Sequence, residues 1–422
     1  MDRSTWAKQP LVSLTSRIGD GIHGTPSYID NGGFPFVNGN NLKQGHIVIT
    51  NDTKRVSKYE FEKYYIEFDK QTLFMSINGT LGSLAKYNNE EIILGKSAAY
   101  IKCTGIDIDF LYYYLQLTEI QNQLWNIATG STIKNLSLTS IRALEIPVPS
   151  RIIQKKITDV LSALDAKIEL NNRINAELEA MAKTLYDYWF VQFDFPNANG
   201  KPYKTSCGKM IFNPTLKREI PEGWSDTKLD DVLSRTGTGL NPRDNFKLGD
   251  GQNYYITIKD IEQGKINFTD KSDRVDDEAL AIIAKRSDLQ IGDILFTSIE
   301  PVGVTYLIHE KPKNWDINES VFTIRANSSK VTSEFLFMLL SGKELKSFTG
   351  NSSSGSIHKG IRHGVLKSYS FAYSGYNLIE KFTIKIKPIL DKQRIIENEN
   401  LALKSLRDWL LPMLMNGQVK VQ

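Results

Sequence analysis

The chain has 422 residues, of which 41% are hydrophobic and 24% are charged. This balance is typical of a folded globular protein and excludes a disordered chain, while the length predicts two or more domains. The formal net charge of +4 is a mild positive excess, which permits nucleic-acid binding without requiring it.

No apolar run is long enough for a transmembrane helix, and the first ten residues, MDRSTWAKQP, contain no apolar signal core. We therefore expect a cytoplasmic protein without a membrane partner. The two cysteines, Cys103 and Cys207, form neither a disulfide framework nor a zinc-binding pattern, and we expect both to be packed as small residues.

The first 150 residues predict a globular unit that mixes strands and helices. Across the chain, strand-forming runs occur at residues 63–68 and 291–299, and short helical patterns occur at 110–117 and 333–340. Strands and helices do not alternate regularly, so a mainly antiparallel or barrel-like sheet is favoured over parallel βαβ units. The expected fold class is α+β.

The longest helical pattern spans residues 152–189 and contains no glycine or proline. Apolar residues recur every three or four positions, as in a coiled-coil seam, and Asn171 and Asn175 form a polar layer within it. The apolar seam consists of Ile157, Leu161, Leu164, Ile168, Leu178, Met181 and Leu185. We expect a long helix that separates two globular units, followed by a polar, turn-rich linker at residues 195–210.

A second helical pattern at residues 387–414 repeats the first at an offset of 221 residues, so that Ile168 corresponds to Ile389. Its predicted seam consists of Ile389, Gln393, Ile396, Asn400, Leu403, Leu410 and Leu414. This helix is the expected partner of the first.

The rest of the chain is also duplicated. Residues 6–17 resemble residues 224–235, Gly19 and Gly21 match Gly237 and Gly239, and residues 73–77 match residues 295–299. The predicted plan is a globular unit at residues 1–150, a helical spacer at 151–193, a linker with a second globular unit at 194–376, and a second spacer at 377–422.

Catalytic motifs are incomplete. Residues 19–24 match the glycine pattern of a dinucleotide-binding loop, but Pro26 prevents the helix that this motif needs. Residues 95–97 suggest a phosphate-binding loop, yet the upstream glycine is replaced by Glu90. The histidines show no metal-binding spacing. We therefore expect a non-catalytic chain with no metal ion or cofactor of its own.

A binding function carried in two copies remains. Residues 130–144 and 350–367 lack acidic side chains, and each stretch precedes one of the long helices. Basic and polar side chains in turns contact phosphates and base edges, with Arg or Lys suited to guanine and Asn or Gln to adenine. The candidate DNA-binding residues are Arg17, His23, Thr25, Asn38, Asn40, Asn41, Ser76, Asn78, Lys134, Arg235, Thr238, Asn241, Arg243, Lys259, Ser298, Ser353, Ser356, His358, Lys359 and Arg362. Each one alone is more often a turn former, and together, in two copies, they favour nucleic acid.

In this order along the chain, several short motifs resemble the specificity (S) subunit of type I restriction-modification systems. They are Gly24-Thr25-Pro26-Ser27, Gly130-Ser131-Thr132-Ile133-Lys134, Ile146-Pro147-Val148-Pro149, Trp189-Phe190-Val191, Gly292-Asp293-Ile294-Leu295-Phe296-Thr297-Ser298 and Leu410-Leu411-Pro412-Met413-Leu414. The second unit departs from the pattern, with Gly239-Leu240-Asn241-Pro242 in place of the first motif.

The resemblance implies two target-recognition domains, joined by two long helices in an antiparallel coiled coil with pseudo-twofold symmetry. It implies that this chain selects a bipartite, asymmetric site in double-stranded DNA. Two modification subunits would bind S-adenosylmethionine and methylate adenine N6, and a restriction subunit would use ATP and Mg²⁺. The alternative is a stand-alone DNA-binding or scaffold protein without a methylase partner.

Aromatic residues on the long helices are candidates for docking the modification subunits, because aromatic side chains anchor interfaces. These residues are Tyr186 and Trp189, beside Tyr188, in the first helix, and Trp409 in the second. The alternative is that they pack against their own globular units.

Overall fold

The computed structural model describes residues 6–130, 133–249, 251–262, 264–352 and 360–419. The chain divides into two compact units: unit 1 comprises Met1–Asn172 and Asn398–Gln422, and unit 2 comprises Arg173–Glu397. This division runs through both long helices, whereas the sequence plan kept each helix whole as a spacer. No helix of the described residues is long and apolar enough to cross a membrane.

In the described residues of unit 1, twelve strands and five α-helices begin, and the last of these helices continues into unit 2. The strands are β1 (Lys8–Pro10), β2 (Thr15–Asp20), β3 (Tyr28–Ile29), β4 (Phe34–Val37), β5 (Leu42–Lys43), β6 (His46–Ile47), β7 (Arg55–Val56), β8 (Thr72–Ser76), β9 (Leu84–Lys86), β10 (Ile93–Leu94), β11 (Ala98–Cys103) and β12 (Glu145–Pro147). The helices are α1 (Lys58–Tyr64), α2 (Ile108–Leu115), α3 (Thr118–Ile127), α4 (Leu138–Arg142) and α5 (Arg151–Tyr186).

The centre of unit 1 is an antiparallel sheet with strand order β2-β11-β8-β9. Successive side chains of a strand point to opposite faces, and both faces of β8 are covered. Leu73 and Met75 join the core formed with α2, whereas Phe74 joins a second core with Tyr100. A second sheet, with strand order β10-β4-β7-β3, contains one parallel pair, β10 with β4. The mixed α+β class is thus confirmed.

Unit 2 repeats this arrangement. Its strands are β13 (Met210–Asn213), β14 (Arg218–Pro221), β15 (Ser225–Lys228), β16 (Leu233–Thr238), β17 (Asn253–Ile256), β18 (Ile261–Glu262), β19 (Lys265–Ile266), β20 (Asp273–Val275), β21 (Ile294–Thr297), β22 (Thr305–Leu307), β23 (Trp315–Ile317), β24 (Val321–Ala326) and β25 (Ser370–Tyr373). Its helices are α6 (Asp277–Ser287), α7 (Ser333–Ser341), α8 (Lys343–Ser352), α9 (His363–Lys367) and α10 (Tyr376–Met415), which ends in unit 1. The antiparallel sheet β16-β24-β21-β22 has the same connectivity as β2-β11-β8-β9, and β17 pairs in parallel with β23 as β4 does with β10.

The internal repeat differs by one residue from the sequence alignment at one strand. The sequence equates Leu73 with Leu295, because the neighbouring letters are alike. In the sheet of unit 1, however, Tyr100 of the middle strand pairs with Phe74 on one side and Gly19 on the other. In the sheet of unit 2, Thr323 pairs in the same way with Leu295 and Gly237. Phe74 is therefore equivalent to Leu295, since a shift of one residue would move every side chain to the other face of the sheet.

The long helices begin and end differently from the sequence prediction. Helix α5 is followed by a π-helical turn, Asp187–Val191. Helix α10 begins at Tyr376, eleven residues before the predicted start, and continues through Pro388. Proline destabilises a helix interior, but a buried stripe of apolar side chains at helical spacing spans this region and outweighs that cost. The stripe consists of Ile379, Phe382, Ile386 and Leu390.

Within unit 1, the segments of α5 and α10 pack side by side in opposite directions. Arg407 Nη1 lies 3.0 Å from Asp165 Oδ1, and Lys167 Nζ lies 3.3 Å from Glu399 Oε1. Residue numbers rise along α5 as they fall along α10, which defines an antiparallel pair. Within unit 2 the same reversal brings the ring centroids of Trp189 and Phe382 to 5.7 Å.

Most predicted seam residues of the long helices are buried or half-buried, but Met181 is 56% exposed and Ala182 is buried in its place. The reason is the seven-residue recurrence from Ile168 through Asn175, which leads to residue 182. The sequence prediction placed Met181 in the seam because methionine is more apolar than alanine, although the seven-residue recurrence leads to Ala182.

Three further expectations were wrong. Residues 63–68 do not form a strand, because Ser57 caps the helix α1 by accepting a hydrogen bond from Glu60 N. Residues 195–210 are not a free linker, since the ring of Phe195 stacks on Tyr203 and on Trp224. Cys103 is buried as expected, but Cys207 is exposed.

Candidate nucleic-acid interface

In unit 1, five loops meet at one end of the central sheet, where β2 and β8 end and β11 begins. Backbone hydrogen bonds of 2.9 Å run from Ile22 N to Leu94 O and from Leu136 N to Ile77 O. The N–H of Gly39 donates to Ser97 Oγ at 2.9 Å. The converging segments are residues 20–25, 38–41, 76–80, 94–97 and 133–137.

Between these loops lies a groove that we call the polar groove, whose polar lining consists of Asp20, His23, Asn78, Lys96, Asn135 and Ser137. Three apolar residues, Ile77, Leu136 and Leu138, also line it. Its walls thus offer a carboxylate, an imidazole, two amides, an ammonium and a hydroxyl. This combination of donors and acceptors suits phosphate oxygens and base edges. Two of the predicted DNA-binding residues, His23 and Asn78, lie in it.

The imidazole of His23 is largely exposed, and its Nε2 lies 2.8 Å from Asp20 Oδ2. Thr25 follows it and is also exposed. Neither Lys96 nor Thr25 forms an ion pair or side-chain hydrogen bond with a described residue, so both remain available to a ligand.

Close backbone contact explains the paired glycines before the groove. A Cβ atom on Gly21 would lie 2.0 Å from Leu94 O, and one on Gly239 would lie 1.7 Å from Ile317 O. The glycines therefore allow the chain after β2 and after β16 to pass against a neighbouring strand. The next element after Gly24 is the strand β3, so these glycines do not lead into the helix that a dinucleotide-binding loop needs.

Four of the predicted DNA-binding residues are structural instead. Asn41 is buried and donates through Nδ2 to Val48 O at 3.0 Å, and the half-buried Asn38 accepts from Ser97 Oγ at 2.9 Å. Ser76 is fully buried and contacts Thr80, and Ser298 is buried and donates to Ser320 O at 2.8 Å. Their polar atoms are already paired with protein, which is what buried polar groups require. Sequence alone does not separate such residues from exposed ones in the same turns.

The equivalent end of unit 2 carries other side chains. Arg243 and Arg362 are exposed, and neither forms a side-chain hydrogen bond or ion pair with a described residue. Thr238 is half-buried at the end of β16, and Asn241 accepts hydrogen bonds from Asn245 Nδ2 through its backbone and side-chain oxygens. Beside Arg362, burial and nearby Lys367 lower the pKa of His363, so that its ring is neutral at pH 7.

Arg17 and Arg235 occupy equivalent positions but differ in availability. The Arg17 guanidinium is exposed and lies 5.6 Å from the centroid of the Tyr100 ring. Arg235 instead forms an ion pair with Asp288, and its Nη2 donates to Arg286 O at 2.8 Å. Asp288 also pairs with Arg325, so Arg235 is committed to a local network. Burial acts to raise the pKa of Asp288, but the hydrogen bond from Gln290 and the two arginines together hold it below the usual value.

In unit 1, Lys134 is half-buried, and its Nζ donates to Ala128 O at 3.3 Å and lies 5.9 Å from the Trp125 ring centroid. Asn40, in the same unit, is exposed and has no hydrogen bond to a described residue. In unit 2, Lys259 is exposed, and its Nζ lies 2.9 Å from Asp273 Oδ2. Four predicted residues fall outside the described part of the chain: Ser353, Ser356, His358 and Lys359.

The docking prediction is wrong for two of its residues. Tyr186 and Trp189 are buried in the core of unit 2, where Phe382 and Phe190 contact them. Their rings fill the space between α5 and the start of α10, which favours the alternative that they pack against their own unit. Trp409 is 57% exposed and remains available to a partner.

Sequence reasoning missed four polar members of the polar groove: Asp20, Lys96, Asn135 and Ser137. Lys96 belongs to the Gly95-Lys96-Ser97 sequence, which was rejected as a nucleotide-binding loop although its lysine is exposed. Asn135 lies in the acid-free stretch before the first long helix, and that stretch was the usable signal. Among the described residues, no group of three His, Cys, Asp or Glu side chains is placed to hold a metal ion.

The chain is similar in sequence to several known proteins. A family model described as the type I restriction modification DNA specificity domain matches residues 23–180. The MjaIX specificity subunit of Methanocaldococcus jannaschii is 24% identical over 368 residues, covering 84% of this chain and 79% of that protein. The HindI specificity subunit of Haemophilus influenzae is 24% identical over 361 residues, covering 74% of this chain and 77% of that protein.

A solved structure described as the type I restriction-modification system S subunit from M. genitalium superposes with a TM-score of 0.59 at 16% identity, covering 97% of this chain and 96% of that chain. At this identity the likeness concerns the fold alone. The family model and the two relatives show that this chain is similar in sequence to type I restriction-modification specificity subunits, and the solved structure shows a similar fold.

Proposed function

We propose that this chain gives a type I restriction-modification complex its DNA sequence specificity, by binding a bipartite and asymmetric site with its two units. The observation that carries the proposal is the duplication of a whole α+β unit, with the same strand order and different side chains at equivalent loop positions. A single unit would bind one short half-site. Two related but unequal units would bind two different half-sites.

The two units carry different side chains at equivalent loop positions. His23 lies three residues after β2, and Asn241 lies three residues after β16. Lys96 lies two residues after β10, whereas Glu319 lies two residues after β23. A lysine attracts phosphates and guanine, and a glutamate accepts from the amino group of cytosine, so these positions favour different bases.

The two long helices are proposed to form an antiparallel coiled coil with pseudo-twofold symmetry. The antiparallel contacts found within each unit support this, as do the buried Asn171 and Asn400 at the seam. In this arrangement the helices hold the two DNA-binding units apart, and the bases between the half-sites are not read.

The chain itself is proposed to be non-catalytic and cytoplasmic. Two modification subunits would bind S-adenosylmethionine and methylate adenine N6, and a restriction subunit would bind ATP and Mg²⁺. Trp409 is the remaining candidate anchor for a modification subunit, because it is an exposed aromatic residue on a rigid helix.

The deciding experiment maps N6-methyladenine across the genome of a host that carries the modification genes, with and without this chain. The proposal expects one split, asymmetric motif to lose its methylation when the chain is deleted. If every methylated motif survives the deletion while the purified chain still binds DNA, the chain acts as a stand-alone DNA-binding protein. Purified protein without sequence preference in a binding selection would contradict both functions.

A further inference from the structure

We propose that one side chain in each unit reads a base: Asn40 in unit 1 and Lys259 in unit 2. The inference rests on the proposed DNA-binding function and deepens it by naming the specificity-determining position. Both residues are the middle residue of a short 3-10 turn, Gly39–Asn41 in one unit and Ile258–Asp260 in the other. Each turn follows the parallel-paired strand, β4 or β17, and leads into a two-stranded hairpin, β5–β6 or β18–β19.

In unit 1 the backbone of this turn is held by a buried asparagine. Asn41 Oδ1 accepts from Asn38 N at 2.9 Å, and Asn41 Nδ2 donates to Val48 O at 3.0 Å. The backbone N–H of Gly39 donates to Ser97 Oγ at 2.9 Å. Both residues that flank Asn40 are therefore fixed, which holds the base of its side chain in place.

In unit 2 the same positions are held by different chemistry. Asp260 is buried, and its Oδ2 accepts from Thr257 N at 2.9 Å, while its Oδ1 accepts from Ser272 Oγ at 2.7 Å. The N–H of Asn267 donates to Asp260 O at 2.8 Å, as that of Val48 does to Asn41 O at 2.8 Å. The two turns thus share their hydrogen-bond plan although their residues differ.

Within each turn only the middle side chain is exposed to solvent and can reach a ligand. Asn40 is exposed and forms no hydrogen bond with a described residue. Lys259 is exposed and pairs with Asp273 at 2.9 Å. Exposed ion pairs contribute little in water, so a DNA acceptor can replace the carboxylate.

The turn of unit 1 also lies beside the polar groove. Ser97, which accepts from Gly39 N and donates to Asn38 Oδ1, directly follows Lys96 of the groove wall. A DNA strand that contacts Lys96 and His23 would pass within reach of Asn40. In unit 2, Asn318 N donates to Ile256 O at 2.8 Å, which keeps the turn against the equivalent loop.

The two side chains differ in the base that they suit. The amide of Asn40 offers one donor and one acceptor, which match N7 and the N6 amino group of adenine in the major groove. The ammonium of Lys259 offers donors only, which match O6 and N7 of guanine. We therefore expect one adenine in the half-site of unit 1 and one guanine in the half-site of unit 2 to depend on this position.

The test maps N6-methyladenine motifs in cells that express the modification genes with wild-type chain, Asn40→Ala or Lys259→Ala. Each variant should relax one base position of one half-site, lowering discrimination there by roughly 5- to 100-fold and leaving the other half-site unchanged. Asn122→Ala and Lys285→Ala, exposed residues on α3 and α6, are the matched controls and should leave the motif unchanged.

The outcomes separate the inference from the proposed function. If the wild-type chain directs no split motif, the proposed function itself fails. If the wild-type motif is found but Asn40→Ala and Lys259→Ala keep it intact, only the inference fails. Uniform loss of methylation at every site, without a relaxed position, would make these residues phosphate contacts and overturn base reading.

The exchange variants Asn40→Lys and Lys259→Asn guard against a loss of folding. Each should fold with an unchanged melting temperature and shift the preferred base at its position, towards guanine in the first case and adenine in the second. A motif that merely weakens in both variants would contradict the assignment.

Discussion

The polar layer between the two long helices within unit 1 should contribute measurably to stability. Asn171 and Asn400 are almost completely buried, and Asn171 Nδ2 donates to Asn400 Oδ1 at 3.0 Å. Asn171 Nδ2 also donates to Glu399 at 2.9 Å, and Asn400 Nδ2 donates to Asn172 Oδ1 at 2.9 Å. The substitution Asn171→Ala removes the donor and leaves the Asn400 carbonyl buried without it.

The expected magnitude follows from two opposing effects. Leaving a buried acceptor without a partner costs roughly 1–3 kcal/mol. Alanine favours the helix over asparagine by roughly 0.6 kcal/mol, which offsets part of that loss. The free energy of unfolding should therefore fall by about 1–2 kcal/mol, which for a domain of roughly 150–250 residues lowers the melting temperature by about 2–8 °C.

The assay is scanning calorimetry, with hydrogen exchange of helix peptides to assign the loss to unit 1. Asn398→Ala is the matched control, because Asn398 is exposed on the partner helix α10 and should show only the helix-propensity gain. The double variant Asn171→Ala with Asn400→Ala completes a mutant cycle and should show a coupling energy of roughly 0.5–3 kcal/mol. The reasoning is refuted if Asn171→Ala is as stable as the control.

Three further outcomes are expected. Arg17→Ala should reduce the slope of log binding constant against log salt concentration by about 0.9, because this exposed guanidinium neutralises one phosphate. Arg235→Ala should leave that slope unchanged and lower stability instead, since the Arg235 guanidinium is held in an ion pair. Burial raises the pKa of Asp316 to about 6. The free energy of unfolding should therefore fall as pH rises from about 4 to 6, because the folded state binds the proton more tightly than the unfolded chain. Thermal melts across this range should show that Asp316→Asn removes this dependence and stabilises the protein by up to about 3 kcal/mol at pH 7. Trp189→Ala should destabilise unit 2 by about 3–5 kcal/mol, because this side chain is buried. Trp409→Ala should keep the melting temperature and weaken co-purification with a modification subunit. Equal melting temperatures for both variants would contradict the burial of Trp189.

Local patterns in the sequence predicted much of this architecture. The heptad spacing around Ile157, Leu161 and Ile168 predicted a long helix with one buried face, because a 3.5-residue recurrence leaves a single apolar stripe. Matching residues at a nearly constant offset predicted the duplication. These features depend on neighbours in the chain, so no tertiary information was needed.

The candidate interface was predicted less well. The loops were recognised by composition, but Asn41 and Ser76 proved to be structural. Four polar members of the polar groove were missed: Asp20, Lys96, Asn135 and Ser137. A turn residue that binds its own backbone and one that faces solvent have the same sequence signature. Which polar atoms are left unpaired depends on partners that are distant in sequence, such as Ser97 for Gly39.

The sequence by itself determined the fold class, the duplicated plan and the family resemblance, because periodicity and repeated motifs survive without knowledge of contacts. Tertiary structure alone decided the start of α10 at Tyr376, the burial of Trp189 and the equivalence of Phe74 with Leu295. The physical reason is the same for all three. Burial against residues far along the chain outweighs local propensity and letter-by-letter similarity, since removing apolar side chains from water dominates the free energy of folding.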